Sequence, residues 1–144
     1  MAHHIRGIIG PKGRLSEITA RGLPEEVREL DVGMGWVPMT EAMMEKLAVR
    51  HPNPIDADVR FERLGWGVLE LLSELSEKSA ILYLETEYFG RVGQQLATVF
   101  VDGVRTVEAC SVDEGLRAIG VVARAEEDEW DTVGLNNFRH MPDE

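Results

Sequence analysis

Two carboxylates stand two residues apart in the segment Ile81-Leu82-Tyr83-Leu84-Glu85-Thr86-Glu87-Tyr88-Phe89. Read as a β-strand, this segment alternates its side chains between two faces. Ile81, Tyr83, Glu85, Glu87 and Phe89 then share one side, and Leu82, Leu84, Thr86 and Tyr88 the other. At a rise of about 3.3 Å per residue, Glu85 and Glu87 lie within about 7 Å of each other. Such a pair can raise the pKa of one partner, as general acid–base chemistry needs, or hold a cation. The chain continues as Gly90-Arg91-Val92-Gly93-Gln94-Gln95. Two glycines three apart suggest a tight loop, and the amides beside it offer directed hydrogen bonds. Glu85, Glu87, Tyr88, Gly90, Gly93 and Gln95 are therefore the candidate ligand-binding residues. The simpler reading is a solvent-facing strip of a half-covered sheet, where glutamate is at home.

A second cluster is Glu126-Glu127-Asp128-Glu129-Trp130-Asp131, with five carboxylates around one indole. As a solvated face it needs no explanation. As a candidate protein interface it offers an aromatic anchor in an acidic rim, which suits a basic partner. It lacks the alternation and the glycine of a calcium loop. Gly90-x-x-Gly93 lacks the Gly-Lys-Ser/Thr ending of a phosphate loop, and Gly33-Met34-Gly35 reads as a bend. His3, His4, His51 and His140 show no ligand spacing, so no metal is expected. Cys110 reads as a buried, inert thiol closing a strand. No catalytic residue and no cofactor are assigned.

The elements that must position these residues read as β-α-β-α-α-β-β-β-α. Residues 3–10 form a strand ending at Gly10-Pro11, and residues 12–21 a short helix with Leu15 and Ile18 on one face. Residues 29–39 read as a strand bent at Gly33 and Gly35. Thr40 caps a helix that His51-Pro52-Asn53-Pro54 ends. Leu64, Val68, Leu71, Leu72 and Leu75 mark the clearest helix, one that packs across the sheet. Asp102-Gly103 joins two strands as a tight hairpin. Ser111-x-x-Glu114 is a capping box for a helix running to Gly120. Leu135 and Phe138 dock the acidic tail onto the body. Helices mixed with adjacent hairpin strands point to an α+β fold: a mainly antiparallel sheet with helices packed on one face, in one domain spanning 1–144.

Length and composition bound the function. At 144 residues the chain suits a single domain, and its lone cysteine makes no internal disulfide. No uninterrupted run of 18 apolar residues exists, and no signal sequence opens the chain, so the expected compartment is the cytoplasm. A net charge of −11, from 26 acidic and 15 scattered basic residues, argues against nucleic acid as a partner. It fits a basic protein partner, and a homo-oligomer is compatible with it.

The stretch Leu84-Glu85-Thr86-Glu87-Tyr88-Phe89-Gly90-x-x-Gly93-x-Gln95, with the opening His3-His4-Ile5-Arg6-Gly7-Ile8-Ile9-Gly10, resembles a group of small uncharacterised bacterial proteins. The likeness runs through most of the chain and implies no catalytic residue. In size and charge the chain is also similar to immunity proteins of contact-dependent toxin systems. Two functions follow as expectations: a protein-binding module of the immunity type, or a small-molecule-binding protein or minor enzyme built on Glu85 and Glu87.

Overall fold

The computed structural model describes residues 2–49, 58, 60–89 and 92–143. The Pro-rich stretch at 51–54 lies outside them. Strands β1 (Ala2–His3), β2 (Arg6–Pro11), β3 (Arg28–Glu29), β4 (Met34–Pro38), β5 (Ile81–Phe89), β6 (Val92–Val101) and β7 (Val104–Cys110) form one sheet. Its order is β3-β4-β2-β5-β6-β7, every pairing antiparallel, with β1 lying along the far end of β5. Helices α1 (Lys12–Leu15), α2 (Glu17–Ala20), α3 (Glu41–Val49), α4 (Trp66–Leu75), α5 (Val112–Ala118) and α6 (Glu129–Val133) complete the α+β fold.

The sheet is covered on both faces, not on the single face expected. On one face Ile8, Val37, Ile81 and Tyr83 pack with Met43 and Leu47 of α3 and with Val68, Leu71, Leu72 and Leu75 of α4. On the other, Ile9, Trp36, Leu82, Leu84 and Val99 pack with Val112 and Leu116 of α5 and Val133 of α6. The β5 core makes this unavoidable. Ile81, Leu82, Tyr83 and Leu84 are all fully buried, and consecutive strand residues point to opposite sides, so each side needs a cover.

Local chemistry explains most boundaries. Asp102 and Gly103 take φ of 51° and 80°, the left-handed pair that joins β6 to β7. Thr40 accepts from the Met43 amide at 3.3 Å and opens α3. Ser111 and Glu114 exchange both bonds of the capping box at α5. The stretch 28–38 departs from the reading as one bent strand. It is a hairpin, β3 and β4, with Val32 and Gly33 in the turn at φ of 53° and 78°. The opening strand is likewise split, because Ile5 exchanges its backbone bonds with Thr86: its amide donates to Thr86 Oγ1 at 3.0 Å and its carbonyl accepts from the Thr86 amide at 2.8 Å.

Candidate functional site

The alternation of β5 places Glu85 and Glu87 on the α4 face, as the strand pattern requires, but in unlike surroundings. Glu85 is half-buried, and its two oxygens serve three donors. Oε1 accepts from the Glu62 amide at 2.6 Å, and Oε2 from the Arg63 amide at 2.8 Å and the Tyr83 hydroxyl at 2.7 Å. Burial raises its pKa, while the Tyr83 hydroxyl, the two amides and the Arg6 charge pull it back. Burial, not the neighbouring Glu87 charge, leads the shift. Tyr83, fully buried, has its phenol pushed well above the usual range by burial and by the Glu85 charge. Glu85 thus clips residues 62–63, just ahead of α4, onto the sheet. Glu87 is exposed and takes no hydrogen bond or ion pair among the described residues.

Around these acids the fold builds a concavity of about 130 Å³. Antiparallel register sets Arg6 of β2 opposite Glu85, and Leu96 and Gln94 of β6 opposite Glu85 and Glu87. His4 joins at one side, and Arg60 and Glu62 close over the top. Arg6 is buried and pairs with Glu62. Arg60 forks onto Asp58, with Nε 2.9 Å from Oδ1 and a terminal nitrogen 2.7 Å from Oδ2, and Oδ2 also accepts from Arg105 at 2.7 Å. Led by the Arg60 bonds, these cations hold the Asp58 carboxyl far below its ordinary range. No sequence motif marks His4, Arg6, Arg60 or Glu62. They come from two segments far apart in the chain, and only strand register and the Glu85 clip bring them together.

Tyr88 and Gln95 belong to the opposite face, which splits the expected six-residue site. Gln95 pairs across the ladder with Thr86, and both border the concavity while their side-chain bonds run to the α5 side. Gln95 accepts from the Val112 amide at 2.7 Å, in the first turn of α5, and donates to the Tyr88 hydroxyl at 2.9 Å. Tyr88 meets Trp130 edge-on with ring centroids 6.5 Å apart. Gly93 is a strand residue opposite Tyr88. A Cβ there would collide with the Glu87 carbonyl oxygen, so the glycine allows close backbone approach within the ladder instead of turning a loop. Gly90 lies outside the described residues.

The acidic stretch 126–131 is occupied internally. Asp128 caps α6, accepting from the Asp131 amide at 2.8 Å. Glu129, 7% exposed, accepts from Arg117 at 2.8 Å, and that bond holds its carboxyl below the ordinary value. Glu127 accepts from the Thr132 hydroxyl at 3.2 Å, and Asp131 from the Asn136 amide at 3.0 Å. Trp130 leans on the His3 ring at 4.7 Å and donates to Asn136 at 3.0 Å. The expected aromatic anchor is a half-buried packing residue, and Glu126 alone of the run is without a bond in this network. The sequence hint was Asp128, three residues before Asp131, with Gly134 ready to close the helix at φ 80°.

Among the described residues no group of three or more His, Cys, Asp or Glu side chains is placed to hold a metal ion. Half-buried Cys110 has its Sγ 3.6 Å from the Ala97 carbonyl, and burial raises its pKa. No helix among the described residues is long and apolar enough to cross a membrane. Fold and site together define an acidic antiparallel α+β protein with a small, charged concavity at one end of its sheet. No family model, curated protein or solved structure matches the chain.

Proposed function

We propose that this chain is a cytoplasmic protein-binding module of the immunity type, which captures a basic partner by taking one of its cationic side chains into the sheet-end concavity. The carrying observation is the contrast within that site. Glu62 holds Arg6 and Glu85 holds three donors, whereas Glu87 stands exposed at the rim with its charge unmatched among the described residues. A partner's ammonium or guanidinium supplies the missing charge. The net charge of −11 supports the same reading by steering a basic protein toward the surface.

Volume favours a side chain over a free metabolite. The concavity of about 130 Å³ falls well short of the roughly 300–1,000 Å³ typical of small-molecule sites. The second reading, a small-molecule-binding protein or minor enzyme, is supported by the raised pKa of Glu85 at a concave site. Against it, a carboxylate already serving three donors has little left for a substrate proton.

Affinity capture from the native host, using the chain and its Glu87→Lys variant at low and high salt, tests the proposal. A specific basic protein should be retained at low salt, released at high salt, and lost by the variant. Equal retention by both proteins removes Glu87 from the interface. Capture of nothing at low salt, with neighbouring genes expressed, sinks the partner reading. A small amine that raises Tm for the parent chain but not for Glu87→Gln would move the balance to the second reading.

A further inference from the structure

Three of the chain's four histidines meet where its C-terminal segment crosses its beginning. His4 and His140 form a parallel bridge, and the His4 amide donates to the Arg139 carbonyl at 2.6 Å. Beside them His3, 5% exposed, is packed against Trp130 and bonded through both ring nitrogens. Nε2 lies 3.1 Å from the Leu135 carbonyl, which only accepts, so this nitrogen carries the proton. Nδ1 lies 2.8 Å from Thr86 Oγ1 and accepts the hydroxyl proton.

A second proton weakens this arrangement. Nδ1 would become a donor and occupy the remaining lone pair of an oxygen that already accepts from the Ile5 amide at 3.0 Å, so the hydroxyl proton loses its acceptor. The Thr86 hydroxyl would be left with the Ile5 carbonyl at 3.5 Å, the far limit of a hydrogen bond. The new charge would be buried near the Arg139 guanidinium, which acts on this ring together with its neighbours His140 and His4. The acids of α6 are engaged elsewhere, Glu129 with Arg117 and Asp131 with Asn136, and Asp113 accepts from the Trp130 amide. From β5, Thr86 and Tyr88 offer hydroxyls only. His4 itself lines the concavity on the other side of the strand end, with Arg6 and Arg60 among its neighbours there.

We propose that residues 135–143 form a strap that leaves the sheet on mild acidification, with the buried, doubly bonded ring of His3 as the trigger. What the strap holds is local. Its own Leu135 and Met141 are buried against the body, the Arg6 amide reaches Met141 Sδ at 3.2 Å, and the Glu41 amide reaches Asp143 at 2.9 Å. The strap does not depend on the partner-binding reading, since no contact of Glu87 enters it.

Residue-resolved amide exchange of the full chain at pH 7.5 and pH 5.0, each amide referred to its unstructured rate, tests this. Protection of the His4 and Arg6 amides should fall by about tenfold or more at pH 5.0, while amides within β6 and β7 hold. His3→Gln, whose amide can still donate to Leu135 and accept from Thr86, should flatten that fall. Should His3→Gln not fold, His140→Gln asks the same question at an exposed position and should shrink the fall at His4. Unchanged protection in the parent chain, an equal loss throughout the sheet, or an undiminished fall in the folded variants would each overturn the strap.

Discussion

The Glu85–Glu87 strand, with the concavity built over it, and the segment 126–131 are the two acidic places that the order of residues singles out, and they behave in opposite ways. In the segment, four of five carboxylates are consumed within the molecule: Asp128 by its own helix, Glu129 by Arg117, Glu127 by Thr132 and Asp131 by Asn136. Among the described residues, two acids of the concavity are consumed and one, Glu87, is not. The denser cluster is thus the more structural one. Density of charge along a chain says little about where a partner binds, because short-range caps and pairs exhaust charge quickly. What marks a recognition surface is charge left over after the fold has used what it needs.

The comparison can be broken hardest at Glu85. Glu85→Ala strands the Glu62 and Arg63 amides and the buried Tyr83 hydroxyl, and should lower stability by about 2–3 kcal/mol in urea denaturation. A loss under 0.5 kcal/mol would mean that the clip holds nothing. Next comes Gly93→Ala, whose methyl would meet the Glu87 carbonyl. Forcing the β5–β6 ladder apart there should cost about 1–3 kcal/mol, with the loss of exchange protection centred on that ladder. Asp128→Ala removes a helix cap and should cost about 1 kcal/mol while leaving partner capture intact. A loss of capture there would restore the acidic segment as an interface. Glu87→Gln closes the series, with stability changed by less than about 0.5 kcal/mol and capture of a basic partner weakened.

Acid titration sharpens the same contrast, and its sign is definite. Burial lowers the His3 pKa from 6.5, so below that pH the unfolded chain binds more protons than the folded one. Stability contributed by neutral His3 is therefore complete above about pH 6.5 and declines as the pH falls beneath it. Asp58, held down by Arg60, adds stability that persists above its ordinary value of 3.8 and is lost only in stronger acid. Urea midpoints between pH 8 and pH 3 should show two separate declines, and His3→Gln should erase the upper one.

Short-range chemistry was decided by the order of residues alone. The Asp102-Gly103 turn, the Ser111–Glu114 capping box, the Thr40 cap and the amphipathic stripe of α4 each need only neighbours within a few positions, and all formed as the pattern dictates. So did the shared face of Glu85 and Glu87, since a strand's period of two admits no other outcome. Register and long-range contact settled the rest. That β2 lies against β5 brings Arg6 to Glu85, and that residues 60–63 fold over the sheet turns a strip into a concavity. That α5 and α6 cover the second face carries Tyr88 and Gln95 away from the acids and pulls Trp130 inward. These outcomes depend on which strands neighbour one another, a choice made by the burial of both faces of β5 at once, and no local spacing encodes it.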